Sequence, residues 1–347
     1  MGYERAQFQM TDVFHHYSLK SANSFGVDAR ASMYASPENL GELVNLLTSY
    51  DYNKLPMMIM GEGSNLLFKS DYEGLIVNPL FKGIEVLEEK GEAVVVRVGA
   101  GENWDNWIQY ATEKGWFGLE NLSLIPGSVG SAPIQNIGAY GVELKDHFEW
   151  LTAWDLEHEK EVKLSAEDCE FAYRSSIFKT SSKGRYIITH VCFRLSRIPE
   201  LKLNYGNVEA AFTAAGGKTA MDLRKVIIYI RNQKLPDPSE VGNGGSFFKN
   251  PVVDRTIFKC IRVEHQDIPN FPAEENQVKL PAAWLIEKAG WKGKRIGNVG
   301  TWPTQPLVIV NYGGATGEEI VSFSELIRDA VDQEFGVFLE REVNVVD

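Results

Sequence analysis

Ile125-Pro126-Gly127-Ser128-Val129-Gly130-Ser131-Ala132-Pro133-Ile134-Gln135-Asn136-Ile137-Gly138-Ala139-Tyr140-Gly141 is the stretch on which the reading of this chain turns. Its glycines let the backbone approach a ligand closely and adopt positive φ. Successive free N–H groups in such turns form anion-binding concavities. A second loop of the same kind, Gly61-Glu62-Gly63-Ser64-Asn65-Leu66, follows the apolar run Leu55–Met60. Ser64, Asn65 and Ser131 add short polar side chains, a chemistry that suits a pyrophosphate. Neither loop is a Rossmann fingerprint. Gly61-x-Gly63 lacks the third glycine, as does Gly99-x-Gly101, and no Walker lysine follows either loop. Each loop alone reads more simply as a tight turn. Two in one chain strengthen the case for a dinucleotide, which needs contacts along its length.

Outward from these loops the elements alternate irregularly. Leu55–Met60 reads as a buried strand delivering the turn at Gly61, and Val94–Val98 as a second strand. Trp104, Trp107, Ile108 and Ala111 fall at helical spacing, which predicts an amphipathic helix over Asn103–Lys114. Ile187–Leu195 reads as a strand and Thr219–Lys234 as a helix stopped by Pro236, with Leu235-Pro236-Asp237-Pro238 a hinge between domains. A short helix over Ala282–Ala289 closes at Gly290. Leu307–Asn311 predicts a strand, Glu318–Phe335 a helix and Val337–Val343 a last strand. Residues 1 to about 16 read as loosely ordered. Mixed elements with few clean βαβ alternations predict an α+β fold.

The 347 residues suffice for two or three domains, and 44% hydrophobic with 24% charged residues is ordinary for a soluble globular protein. A net charge of -12 argues against nucleic acid as a partner. An anionic substrate would need a local positive pocket. Cys169, Cys192 and Cys260 are scattered and odd in number, which predicts reduced thiols rather than a disulfide framework. His15-His16 reads as part of a solvated arm, and no metal site is expected. No apolar leader and no membrane-length segment is visible, so a cytoplasmic protein without membrane insertion is expected.

Three further segments carry polar groups in suggestive settings. Gly242-Asn243-Gly244-Gly245-Ser246-Phe247-Phe248-Lys249-Asn250-Pro251 puts a serine on a glycine-rich turn beside an apolar wall, although a capping serine is the commoner fate of such a residue. Phe171-Ala172-Tyr173-Arg174-Ser175-Ser176-Ile177-Phe178-Lys179 sets one arginine among aromatics, where stacking is the ordinary role. In Leu339-Glu340-Arg341-Glu342-Val343 the glutamates share one strand face. A solvated edge strand accounts for that pattern equally well.

These segments together resemble the UDP-N-acetylenolpyruvoylglucosamine reductase family, in its longer subtype with a tyrosine loop. The resemblance runs from about Ser21 to Val343. It also rests on Asn23-Ser24-Phe25-Gly26-Val27, Gly118-Leu119-Glu120-Asn121-Leu122 and Ala283-Trp284-Leu285-Ile286-Glu287. It implies three domains: two form a vanillyl-alcohol-oxidase-type FAD-binding unit (17–83, joined by a C-terminal strand at 341–347, and 84–234), and the third is a substrate domain (235–340). It implies FAD as cofactor, NADPH as co-substrate and UDP-N-acetylglucosamine enolpyruvate as substrate, with a monomer expected.

By resemblance the cofactor-binding residues are Gly61, Glu62, Gly63, Ser64, Asn65, Leu66, Pro126, Gly127, Gly130, Ser131, Ala132, Ile134, Asn136, Ile137, Gly138 and Arg231. The implied catalytic set is Arg174, which stabilises charge on the substrate carboxylate, Ser246, which gives a proton to C2, and Glu342, aligned in preference to Glu340. Implied substrate contacts are Tyr140, Lys234, Asn250, Gln305 and Tyr205, the last in Leu203-Asn204-Tyr205-Gly206 over the uridine diphosphate. Lys234 and Lys249 would supply the local positive field. The chain departs from the family pattern at Arg341 and Asn344 and around Thr301–Thr304.

Two other readings stand beside this one. An oxidase or dehydrogenase could use the same flavin architecture, because fold does not fix reaction, but it would not need the Ser246 turn or the Tyr205 loop. A nucleotide-binding module without catalysis would keep the glycine loops and tolerate change at Arg174, Ser246 and Glu342.

Overall fold

The computed structural model describes residues 11–50 and 55–347. They form two compact units. One takes residues up to Tyr17, Ala31–Glu62 and Glu73–Arg231; the other takes Ser18–Arg30, Gly63–Tyr72 and Asn232–Asp347. Both mix helices with sheets, so the fold is α+β as expected. No described helix is long and apolar enough to cross a membrane.

The first unit is built on a five-stranded antiparallel sheet. Its order is Lys160–Ser165, Phe148–Asp155, Tyr186–Ser196, Ala93–Gly99 and Ile84–Lys90. Val94, Val96 and Val98 alternate inward from the strand Ala93–Gly99 and meet Trp104, Trp107, Ile108 and Ala111 of the helix Trp104–Glu113. The helical spacing read from the tryptophans therefore holds. Asn103 caps the helix by accepting the Asn106 N–H at 3.1 Å. A second sheet orders Val13–Ser18, Arg30–Ala35, Tyr72–Val77 and Met57–Ile59, and the helix Leu40–Ser49 packs Leu43, Leu46 and Leu47 against it. A small cluster of Val208, Phe212, Leu223, Val226, Ile227 and Ile230 joins the helix Val208–Ala214 to Ala220–Lys234.

The second unit carries a four-stranded sheet in the order Gly242–Ser246, Gln305–Asn311, Val299–Trp302 and Arg295–Ile296. The helix Gly317–Phe335 begins with a capping box in which Thr316 accepts the Glu319 N–H. The last strand, Asn344–Val346, pairs in parallel with Leu66–Phe68.

Three expectations need correction. Val337–Val343 is not a strand. It runs beside Phe247–Lys249 and makes one isolated bridge, Phe248 to Arg341. The amides of both Glu342 and Val343 point at the Phe247 carbonyl, so the ladder breaks and the chain turns away to begin its strand at Asn344. The run Leu55–Met60 is not a buried strand either. Only Met57–Ile59 is extended, half-buried, because it lies at a sheet edge and pairs on one side with Leu75–Val77. Residues 13–16, expected to be loose, belong to an edge strand, Val13–Ser18, on which His15 and His16 are exposed; residues 1–10 of that segment lie outside the described residues. The three cysteines are free, Cys169 and Cys192 buried and Cys260 exposed.

Asp155 closes the end of the strand Phe148–Asp155. Its buried carboxylate takes a bidentate pair of hydrogen bonds from Arg185, at 3.0 and 2.7 Å, and one from His158 Nδ1 at 2.9 Å. The Arg185 bonds, aided by His158, outweigh burial and hold the carboxyl well below the usual range. A depressed carboxylate stabilises the fold above its unfolded value near ~3.9, and that contribution is lost as pH falls toward the folded value. Asp155→Asn should therefore lower the thermal midpoint by several degrees at pH 7. The gap to the parent protein should narrow below about pH 4 when melts are compared across pH.

Candidate functional site

In the first unit the two glycine-rich segments meet. A Cβ on Gly61 would lie 2.6 Å from Ser128 Oγ and 3.3 Å from Ser131 Cβ, so only glycine lets the turn after Met57–Ile59 lie against the start of the 3₁₀ turn Val129–Gln135. Glu62 accepts a hydrogen bond from the Asn103 amide at 2.9 Å. Gly127 and Gly130 are fixed by backbone bonds, the Gly127 carbonyl to the Trp104 N–H and the Gly130 N–H to the Ala100 carbonyl. Ser131 Oγ donates to the Ser128 carbonyl at 2.7 Å. Ala132 is buried and accepts the Ile137 N–H, while Pro126 is exposed and Ile134 partly exposed along the same loop.

Asp105 fixes the approach to that loop. Its carboxylate accepts the Leu124 N–H at 2.5 Å and two bonds from Arg224, at 2.7 and 2.9 Å. Burial works to raise its pKa, but the Arg224 and Leu124 hydrogen bonds win and hold it low, so the group stays charged. Leu124 sits at φ +58, a costly conformation for a branched side chain, directly before Ile125-Pro126-Gly127. Arg224 stands on the helix Ala220–Lys234, seven positions before Arg231.

Arg231 has a buried Nε without a hydrogen-bond partner in the structure. Burial pushes its pKa down, Tyr140 and Asp105 pull it up, and the charge of Arg174 pushes it down again. A guanidinium with a buried Nε left without a partner fits the pyrophosphate of a dinucleotide. The donor set of this unit is thus compatible with FAD.

Arg174 occupies the tip of a two-residue turn closed by reciprocal bonds between Ala172 and Ser175, at 3.1 and 3.2 Å, and adopts φ +53. Ser176 Oγ donates to the Ile134 carbonyl at 2.7 Å, and Asn136 Nδ2 donates to the Ala172 carbonyl at 3.1 Å, so the turn is tied to the glycine loop on both sides. A Cβ on Gly138 would stand 3.0 Å from Glu143 Cγ, 3.1 Å from the Val142 carbonyl oxygen and 3.3 Å from Arg174 Nη1, so a side chain there would crowd the hairpin and Arg174 alike. The Asn136 side chain, expected at the cofactor, is fully engaged in protein contacts: Glu143, Ala172 and the Lys145 N–H. Asn136 is fully buried, and its backbone N–H bonds to the Pro133 carbonyl at 3.3 Å.

Tyr140 and Gly141 form the two-residue tip of the hairpin Gly138–Ala139 and Val142–Glu143, both at positive φ, as a type I′ turn demands. The Tyr140 ring meets Tyr205 edge to face at 6.1 Å, and burial raises its pKa. Tyr205 is about half exposed, on the loop before Val208–Ala214.

The second unit gathers the remaining residues. Gly63, Ser64 and Asn65 are bound to the segment around Ser24: the Gly63 carbonyl accepts the Ser24 N–H, and the Ser64 carbonyl accepts Ser24 Oγ at 3.1 Å. Asn65 Nδ2 donates to the Glu342 carbonyl at 3.2 Å, and Leu66 pairs with Asn344. Ser246 ends the strand Gly242–Ser246 opposite Val308, and the carbonyl of the next residue, Phe247, accepts the Glu342 N–H at 2.8 Å. Ser246 and Glu342 therefore sit on neighbouring segments. Glu340 is salt-bridged to Lys249, which removes Lys249 as an uncompensated positive charge. Asn250 Oδ1 accepts the Ala282 N–H at 2.9 Å at the start of the helix Ala282–Lys288. Thr304 Oγ1 donates to the Lys234 carbonyl at 2.9 Å and so places Lys234 beside the strand that starts at Gln305.

Sequence reasoning passed over Asp105 and Arg224, which hold this arrangement, and took Asn121 only as part of a family motif without a role. The signal of the first two was weak, since an acid and a base on amphipathic helices look like surface residues until the fold buries them.

Residues 237–346 match the model for the C-terminal domain of UDP-N-acetylenolpyruvoylglucosamine reductase, and residues 31–165 match that of an FAD binding domain. Over 337 residues the chain is 44% identical to the UDP-N-acetylenolpyruvoylglucosamine reductase of Amoebophilus asiaticus, covering 96% of this chain and 99% of that one. It is 44% identical over 332 residues to that of Pseudomonas aeruginosa, covering 95% and 98%. The crystal structure of UDP-N-acetylenolpyruvylglucosamine reductase from Thermus caldophilus shares the fold, with a TM-score of 0.67 over 98% of this chain and all of that one, at 22% identity. The chain belongs to the UDP-N-acetylenolpyruvoylglucosamine reductase family and is an FAD-dependent oxidoreductase.

Proposed function

We propose that the protein reduces UDP-N-acetylglucosamine enolpyruvate to UDP-N-acetylmuramate with NADPH, in cytoplasmic synthesis of peptidoglycan precursors, and acts as a monomer. The observation that carries this reading is the placement of the Glu342 backbone against Phe247, next to Ser246, in a chain 44% identical to such a reductase end to end. We assign residues 17–83 with 341–347, and 84–234, to cofactor binding and 235–340 to the substrate.

FAD, when bound, would supply the redox chemistry that carries a hydride from NADPH to C3 of the enol ether. Negative charge then builds at C2 and spreads onto the adjacent carboxylate. Arg174 stabilises that charge, since a guanidinium fork matches a carboxylate. Its strained turn and its ties to Ile134 and Asn136 hold it ready, so little reorganisation is needed as charge develops. Ser246 gives its hydroxyl proton to C2, and solvent restores it. A hydroxyl is a weak acid, but the carbon it meets is a strong base, so the transfer runs downhill. Glu342 bears on the same carboxylate, where it helps only in its protonated form. Tyr205 covers the uridine diphosphate, Tyr140 contacts the substrate, and Lys234, Asn250 and Gln305 contact the substrate or the nicotinamide nucleotide. Gly61–Leu66, Pro126–Gly138 and Arg231 take the FAD.

Ser246→Ala should leave reduction of the bound flavin by NADPH at its parental rate in stopped flow. Reoxidation by the enolpyruvyl substrate should slow by about 10²–10⁴; an unchanged reoxidation rate would remove the serine from proton transfer. Arg174→Ala should keep its yellow FAD spectrum and lose about 10²–10³ in turnover. Purification of that variant as colourless apoprotein would make the arginine a cofactor ligand instead.

A further inference from the structure

We infer that Asn121 is a positioning residue that couples the Tyr205 loop to the Tyr140 hairpin and so sets affinity for the nucleotide-bearing substrate. This rests on the assignment of Tyr205 to the substrate made above. Asn121 lies in the short 3₁₀ turn Glu120–Leu122 and is 1% exposed. Its side-chain amide has two hydrogens to donate, and both are used: one goes to the Tyr140 carbonyl at 2.9 Å, the other to the Lys202 carbonyl at 2.8 Å. One buried group thus joins the hairpin tip to the start of the Tyr205 loop.

The geometry on either side is specific. Tyr140 is held at φ +49, a conformation a tyrosine adopts only under constraint, and the bond to its carbonyl supplies part of that constraint. On the loop side, Leu201 and Leu203 pack into the small core of Val208, Phe212 and Ile227, while Lys202 between them turns its carbonyl to Asn121. Tyr205 then emerges half exposed with its Cβ 3.6 Å from where a Cβ on Gly141 would stand, and its ring edge-on to Tyr140. Apart from these ring contacts, the described hydrogen bonds of the Tyr205 backbone are local, to Leu203 and from Val208. The Asn121 bridge is therefore the polar tie that fixes the loop's distance from the hairpin.

Loss of the bridge leaves two carbonyls short of a donor and frees the loop. The test uses FAD-loaded Asn121→Ser, the isosteric Asn121→Asp, Tyr205→Ala, and the double variant Asn121→Ser/Tyr205→Ala. Asn121→Ser should raise KM for UDP-N-acetylglucosamine enolpyruvate about tenfold. The rate of flavin reduction at saturating NADPH should stay within about twofold, because that step does not call on the loop. In the Tyr205→Ala background the same serine substitution should change KM by less than about twofold, since a residue acting through Tyr205 has nothing left to position. Amide exchange of residues 200–207 should speed up in Asn121→Ser while that of the strand Tyr186–Ser196 stays slow. Should Asn121→Ser shed its FAD, Asn121→Asp, equal in volume and short of donors, is read in the same way. Multiplicative effects of the two substitutions on KM, or unchanged exchange at 200–207, would overturn the inference while leaving Tyr205 in its role. A Tyr205→Ala variant with parental KM would instead overturn the assignment of Tyr205, and the inference with it.

Discussion

The carboxylate of Asp105 is the constraint on which the first unit's binding surface depends. It joins three elements that have no sequence relation: the helix Trp104–Glu113, the left-handed turn at Leu124, and the helix that carries Arg224 and Arg231. Bidentate pairing to arginine and a backbone donor together compensate the cost of removing the charge from water. With both partners in place the glycine loop starts from a fixed point, and Arg231 is held on a helix that cannot rotate without breaking the pair. Removal of either partner would leave a buried charge uncompensated, which is why such a pair specifies geometry more firmly than an apolar contact does.

Strain is concentrated around the same surface. Leu124, Asn136, Tyr140 and Arg174 all adopt the left-handed region without being glycine. Each costs on the order of 1–3 kcal/mol, and each is held by a named bond: Asp105 to the Leu124 amide, Glu143 and Lys145 to Asn136, Asn121 to the Tyr140 carbonyl, and the Ala172–Ser175 pair around Arg174. A tyrosine and an arginine stand at turn tips, Tyr140 on the hairpin and Arg174 on the turn closed by Ala172 and Ser175.

Much of the fold was legible because it rests on local pattern. The helix over Trp104–Glu113, the strands Ala93–Gly99 and Tyr186–Ser196 and the helix Gly317–Phe335 follow from spacing, caps and valine-rich alternation. The segment Val337–Val343 misled for the same reason. Its burial alternates as a strand's would at Val337, Phe338, Leu339 and Glu340, yet its partner among the described residues runs alongside for three residues before Asn250-Pro251 ends the pairing. Leu55–Met60 misled in the opposite direction, since an apolar run does not reveal that it will pair on one side only.

For the site, the sequence by itself determined the chemical inventory: the glycine loops, an arginine among aromatics, a serine on a glycine turn, and the order of motifs that marks the family. These are properties of residue type and spacing, and spacing survives in the linear chain. Tertiary structure decided which of those groups remain free to act. It paired Lys249 with Glu340, turned the Asn136 side chain inward, and left the Nε of Arg231 unpartnered. It also gave Asp105 and Asn121 their importance. A hydrogen bond depends on where the chain returns in space, and residues far apart along the chain carry no local mark of the partner they will meet.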